Sequence, residues 1–278
     1  MHELVESERD LVLRDKIVKE VNSIKSIALI AVFTGLVFLS TSIFYVYIPT
    51  SNGFFNIGEV FIYLAALIGG PLTGAIAGGL GASMADLALF FGQFAPGTAV
   101  IKAIEGFVVG LLFFYSKRFT KWLKYTFVGI LCSFLIGFSA YFYNQDIEFG
   151  MSFYGKAEYE ASIPGYSLLI IAVILCLIII AVLFFLKEKG EMALACSIGG
   201  TLMVLGYFLY EIIFLSYPVG SAASELPFNF AQAIFGAALS IPIVSYLSDL
   251  GILQPKKNKK PFADEIVEEG NVEKKTKE

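Results

Sequence analysis

An all-α, polytopic membrane helix bundle is the fold class the sequence predicts, and three observations predict it. Of the 278 residues, 57% are hydrophobic and only 16% are charged, well below the roughly 25% charged residues of a soluble domain. Long apolar runs recur along the chain, separated by short polar connections. Most of the charge gathers at the two ends, in the first 25 residues and in the tail after Pro255, which holds KKNKK and then ADEIVEEGNVEKKTKE.

The elements follow in order. Residues 1–23 are a charged, roughly amphipathic segment expected in the cytoplasm, so the first apolar run serves as an uncleaved signal. A bilayer core needs about 20 apolar residues per helix, fewer where the helix is enclosed by protein. About eight segments are expected: Ile24–Ile48, Val60–Gly69, Leu72–Phe91, Thr98–Tyr115, Thr126–Tyr143, Tyr166–Leu186, Met192–Tyr217 and Phe228–Leu247. The second is short because Gly69–Pro71, GGP, interrupts it. Leu67–Asp86, LIGGPLTGAIAGGLGASMAD, carries a small residue at nearly every second position, which suits helices that approach each other closely inside a membrane. The charged tail, 249–278, closes the chain.

Orientation follows from lysine and arginine in the short loops. With the N-terminus inside, the other inner connections are GGPLTG, SKRFTKWLK, KEKGE and the tail, and all but the first carry lysine. The outer connections, IPTSNGFFNIGE, GQFAPG, NQDIEFGMSFYGKAEYEASIPG and SYPVGSAASELP, contain Lys156 alone. A multi-pass protein of the cell membrane with both termini in the cytoplasm is expected.

Several classes are excluded. No basic, aromatic-bearing surface speaks for nucleic acid. Cys132, Cys176 and Cys196 fall in apolar runs at spacings that fit no metal motif, and no cofactor is implied. Gly150–Lys156, GMSFYGK, begins like a phosphate-binding loop, but Ala157 stands where Ser or Thr is required. The one histidine is His2, and neither GxSxG nor HExxH occurs, so no enzyme is expected.

What stands out is polarity where lipid should be. Val100–Phe107 reads VIKAIEGF, inside an apolar run. An ionisable side chain at mid-bilayer costs about 2.5–3.5 kcal/mol on insertion scales, so it normally faces protein or a wet cavity. Glu59, Asp86, Lys102, Glu105 and Glu211 are such residues. Helical spacing places them on stripes. Lys102 and Glu105 are i, i+3; Asp86 shares a face with Phe90 and Gln93; Tyr207 and Glu211 are i, i+4; Asn229 and Gln232 are i, i+3. In the expected topology Asp86, Lys102, Glu211, Asn229 and Gln232 all lie toward the outer face. Polar groups converging among aromatics such as Tyr207 and Phe90 describe a small-molecule site. The structural alternative is a Lys102–Glu105 ion pair that pins helices together.

With Gly58–Gly110, Gly206–Glu211 (GYFLYE) and Asn229–Pro242 (NFAQAIFGAALSIP), the chain resembles the substrate-binding S components of energy-coupling-factor (ECF) vitamin transporters, of the riboflavin, pyridoxine and hydroxymethylpyrimidine group. The resemblance spans Ile24–Tyr115 and Met192–Leu247. It implies a six-helix bundle, 24–116 and 191–248 here, that captures a vitamin or vitamin precursor outside and passes it inward with a transmembrane T subunit and two ATPase subunits. It implies ligand contacts at Asn56, Glu59, Lys102, Glu105, Tyr207, Glu211, Asn229 and Gln232, beside Asp86 and Gln93 from the stripes. It also implies a T-subunit surface on the first helix, best matched by Ala31 and Gly35 in ALIAVFTG. Against that pattern, 117–190 is an added two-helix hairpin with a long external loop, Asn144–Gly165, a candidate lid. A different class, an autonomous secondary transporter or channel using Asp86, Lys102 and Glu211, fits the same charges.

Overall fold

The computed structural model describes residues 24–49, 52–115, 121–144, 146–152, 158–185 and 187–253. The expected cytoplasmic segment 1–23, Lys156 and most of the charged tail lie outside them. The described chain forms α1 (Ile24–Ile43), then β1 (Tyr45–Ile48), β2 (Gly53–Asn56), α2 (Glu59–Gly69), α3 (Pro71–Ala88), α4 (Ala95–Tyr115), α5 (Lys121–Tyr141), β3 (Asp146–Ser152), β4 (Glu158–Pro164), α6 (Tyr166–Phe185), α7 (Lys187–Ile213) and α8 (Val219–Asp249).

The architecture is mostly helical, as expected, and four helices, α1, α4, α7 and α8, are each long and apolar enough to cross a membrane. Their outward faces are dressed with apolar side chains, among them Ile27, Val32, Leu39, Ile104, Leu209 and Ile243, as a lipid-contacting surface requires.

The purely helical expectation is corrected at one end of the bundle. A four-stranded antiparallel sheet, ordered β2-β1-β3-β4, gathers the β1–β2 and β3–β4 hairpins. The first apolar run therefore ends as a helix at Ile43, and its last four residues, YVYI, form β1, paired from Tyr45↔Asn56 to Ile48↔Gly53. Alternating aromatic and β-branched residues favour a strand once a partner edge is present. The link between the two hairpins is narrow, with Tyr47 opposite Ser152. β3 also packs against α8, so the expected external loop lies over the bundle end.

Two further boundaries move. α7 stops at Ile213, short of Tyr217, and α8 begins at Val219, nine residues before Phe228, with Pro227 inside it.

Glycine sets the closest helix contacts. Gly70 breaks α2 from α3 at φ 88°, and Pro71 opens α3 where its missing N–H costs nothing. α3 then lies directly on α4: a Cβ at Gly74 would come within 2.6 Å of the Gly106 carbonyl oxygen, and one at Gly78 within 2.8 Å of that of Lys102. This approach turns the Lys102 face of α4 inward. α3 ends in a Schellman-type turn, with Phe91 N–H donating to Asp86 O at 2.8 Å and Phe90 N–H to Leu87 O at 3.3 Å, and with Phe90 in the left-handed region at φ 65°. α4 packs on α7, α7 on α8, and α8 on α2, which closes a ring around the inner end of the site.

α5 and α6 pair with each other and join the bundle through α7. Val128, Leu135, Ala172 and Cys176 pack with Leu194 and Ile198 of α7, while Ile130, Ile170, Ile174 and Leu177 face outward. Cys132, Cys176 and Cys196 are free thiols.

A polar cavity at the sheet end of the bundle

A cavity under the β1–β2 hairpin is lined by Thr41, Gly53, Phe54, Asn56, Glu59, Ile62, Ala82, Asp86, Phe94, Thr98, Lys102, Tyr207, Glu225, Asn229 and Gln232. α1, β2, α2, α3, α4, α7 and α8 all contribute, so the site exists only once the bundle has closed.

Its floor is an ion-pair cluster. Lys102 Nζ contacts Glu59 Oε1 and lies 3.3 Å from Glu105 Oε2. Tyr63 donates its hydroxyl to Glu105 Oε1 at 2.9 Å. All four side chains are buried, and Lys102 sits over the Tyr207 ring, 5.4 Å from its centre, where the negative face of the ring favours a cation. The expected Lys102–Glu105 pair is present, with Glu59 as a second carboxylate. α2 and α8 hold this floor tightly: a Cβ at Gly236 would come within 2.6 Å of that of Glu59.

One wall is an amide relay. Gln232 donates through Nε2 to Asn229 Oδ1 at 3.1 Å, and its Oε1 accepts from Asn56 N–H at 2.7 Å. Asn56 Oδ1 accepts from Gly58 N–H at 2.8 Å. α8 is thereby tied to the turn that leads from β2 into α2.

The opposite wall is acidic. Tyr207 donates to Thr98 Oγ1 at 3.0 Å, and Thr98 in turn bonds Asp86. Asp86 Oδ2 has no partner, and neither oxygen of Glu211 has a donor. Glu225 stands beside both Asp86 and Glu211. Phe54 and Phe94 supply the aromatic lining, and Phe54 packs at a tilt against Phe91 with centroids 4.6 Å apart.

Of the residues named from the sequence, Asn56, Glu59, Asp86, Lys102, Tyr207, Asn229 and Gln232 line the cavity. Glu105 and Glu211 lie one layer behind, each wholly buried. Gln93 is exposed in the turn between α3 and α4 and reaches the bundle through its carbonyl, which accepts from Tyr210 at 2.8 Å. Phe90 is 92% exposed, so it does not wall the site: the stripe that suggested it ends at the Schellman turn. Glu225 was missed. It sits i−4 from Asn229 and i−7 from Gln232, on their stripe, but Pro227 reads as a helix start and leaves Glu225 in a loop. On α1, Ala31 is exposed, and a Cβ at Gly35 would meet nothing within 4 Å.

Helices long and apolar enough to span a membrane, closing on a buried polar cavity, define a multi-pass membrane protein with a candidate small-molecule site. The profile of the ECF-type riboflavin transporter, S component, matches residues 21–186, more than half of the chain, and the chain belongs to that family. It is a transporter component and not an enzyme. Thiamine precursor transporter HmpT of Lactococcus lactis subsp. cremoris (strain MG1363) is 29% identical over 168 residues, 60% of this chain and 90% of that protein. An uncharacterized protein in gap 3'region of Pyrococcus woesei is 41% identical over 75 residues, 27% of this chain. The chain spans only 48% of the length of that second relative. The family match runs through α5 and α6, the stretch set apart above as an added hairpin, and stops before α7.

Proposed function

We propose that this protein is the cargo-binding subunit of an ECF importer. It takes a vitamin or vitamin precursor of the riboflavin, pyridoxine or hydroxymethylpyrimidine class from outside the cell and passes it inward in complex with a T subunit and two ATPase subunits. Family membership supports the class, and the observation that carries the site is the convergence of seven elements on one buried polar cavity. Asn56, Asn229 and Gln232 offer hydrogen bonds to a heterocycle, Phe54, Phe94 and Tyr207 offer ring faces, and Glu59, Asp86, Lys102 and Glu225 fix polarity. Glu105 and Glu211 support them from behind. The exposed Ala31 and the half-buried Gly35 on α1 form the T-subunit contact, and both termini lie in the cytoplasm.

The cavity encloses about 30 Å³, against the several hundred Å³ typical of a drug-sized ligand site. Loading therefore requires β2 and the start of α8 to move away from α3 and α4. The β1–β2 hairpin is the element that would move, and the Gln232–Asn56 bond and the aromatic contacts of Tyr47 and Phe54 with Phe91 are among the contacts it would exchange. The β3–β4 hairpin beside it acts as the outer cover.

The test is native mass spectrometry of protein extracted gently from its own membrane, followed by titration of the retained compound into stripped protein. A retained vitamin-like compound that rebinds with nanomolar affinity is the expected result. An empty protein that ignores riboflavin, pyridoxine and hydroxymethylpyrimidine overturns the reading. It would favour the second one, an autonomous carrier in which the unpartnered oxygens of Asp86 and Glu211 handle protons or ions.

A further inference from the structure

A second cavity, of about 120 Å³, lies on the far side of α8 from the polar one. α8 lines it with Leu226, Phe230 and Ile234, and α6 faces them across the gap with Leu168 and Ile171. Ser139 of α5 is the one polar side chain in the lining. The gap exists because α5 and α6 join the bundle through α7, so that α6 stands beside α8 without closing on it. Along α8 the two linings interleave: Asn229 and Gln232 belong to the polar cavity, Phe230 and Ala231 to the apolar one. A single helix is the partition between them.

Access, depth and chemistry together decide what fills this groove. It opens sideways, because Ile171 and Ile234 line it and are themselves exposed, next to the exposed Ile170 and Phe235. On a membrane-spanning bundle that side is wetted by lipid. Its depth follows from Tyr141, Tyr143 and Tyr166, exposed rings gathered where α5 ends and α6 begins, since tyrosine collects where the bilayer meets water. Leu168 and Ala172 follow Tyr166 by about 3–9 Å along the helix axis, which is where hydrocarbon begins. Water is a poor occupant, because it needs two to four polar partners, whereas apolar cavities of about 150 Å³ stay dry and accept hydrocarbon guests. A helix from a partner or a second copy, about 10–12 Å across with its side chains, is too thick for the gap. A chain of methylene groups is not.

We propose that the groove is a lipid seat, in which one acyl chain of a bilayer phospholipid lies between α6 and α8 and backs the helix that carries Asn229 and Gln232. The headgroup stays at the level of the tyrosines and is not selected, since the lining offers no charged group. The seat does not depend on what the polar cavity holds.

The experiment uses the full-length protein, stripped of lipid in detergent and then supplied with palmitoyl-oleoyl phosphatidylcholine or the phosphatidylglycerol with the same chains. Native mass spectrometry at rising collision energy counts the lipid that stays bound, and scanning fluorimetry follows the thermal midpoint. Ala231→Phe puts a ring into the groove from an exposed position, with Ala231→Leu as the milder filling. Ile243→Phe, at an exposed position of α8 outside the groove, controls for a bulkier lipid-facing surface. The expected result is one tightly retained phospholipid on wild type and on Ile243→Phe, with either headgroup, and at least tenfold weaker retention on both Ala231 variants. Added lipid should raise the midpoint of wild type and leave that of the filled variants nearly unchanged. Wild type that retains no lipid overturns the proposal, as does retention that Ala231→Phe and Ala231→Leu leave intact. A tenfold preference between the two headgroups overturns the acyl-chain assignment, because the bound part would then be the polar end, and this comparison is decisive on wild type alone if the filled variants do not fold.

Discussion

Replacing Lys102 with methionine isolates what the floor of the cavity contributes. Methionine nearly matches the lysine stem in length and volume, so packing is largely kept and the charge is removed. At an effective dielectric of about 20, unit charges separated by the 3.3 Å of the Lys102–Glu105 pair attract by about 5 kcal/mol. Glu59 adds a second attraction of similar kind, and burial of all three groups offsets much of the sum. The net worth of the cluster is therefore modest, but the cost of breaking it is not. Without Lys102, Glu59 and Glu105 face each other across a buried space with only Tyr63 as a donor to Glu105, and truncating one partner of a buried ion pair costs about 3–5 kcal/mol. A fall in thermal midpoint on the order of 10 °C is expected for Lys102→Met in detergent. The triple variant Glu59→Gln, Lys102→Met, Glu105→Gln should recover most of the loss, since no charge is then left unpaired. Scanning fluorimetry with circular dichroism measures both. A single variant within about 2 °C of wild type refutes the argument, because the lysine would then not be holding the two carboxylates.

Other substitutions test other parts. Gly74→Val should push α3 off the Gly106 carbonyl and lower the midpoint, with a loss of about 1–3 kcal/mol; unchanged thermal stability would mean that the helices are not in this contact. Phe90→Gly should stabilise the α3–α4 turn by about 1 kcal/mol, because a left-handed residue with a side chain is replaced by one without that penalty; a lower midpoint would show that the exposed ring is held by something outside the bundle. Gln232→Ala removes the bond to Asn56 N–H and should weaken cargo binding at least tenfold, about 1.4 kcal/mol, with the fold retained; calorimetry on stripped protein gives the answer. Gly35→Leu should leave binding unchanged and abolish uptake into cells or proteoliposomes carrying the full importer, and normal uptake would remove the α1 contact surface.

Much of the site was legible because a membrane makes polarity expensive. Lys102, Glu59 and Asp86 needed no alignment to stand out, since each is an ionisable residue in or against an apolar run. Helical spacing then put Tyr207 above Glu211 and Asn229 beside Gln232. Glu225 was not legible for a local reason: Pro227 two residues later suits a helix start, and only the packing of α8 against β2 and α2 carries the helix back through it to Val219. Gln93 and Phe90 failed in the opposite sense, because a stripe drawn on an ideal helix continues past the point where the backbone turns at Phe90.

The sequence by itself determined the class of the protein and which polar groups stand within apolar segments, because hydropathy responds to the solvent and not to neighbouring helices. It also marked Leu67–Asp86 as a stretch that packs closely on other helices, since small residues permit two backbones to come near; that α4 is the partner was decided by the tertiary structure. The tertiary structure alone decided which charges meet. It paired Lys102 with Glu59, 43 residues apart, and set Asp86 against Glu225. It also brought β1 and β3 into one sheet over the bundle end. Such pairings depend on helix rotation and on strand partners far away in the chain, and a one-dimensional pattern carries neither.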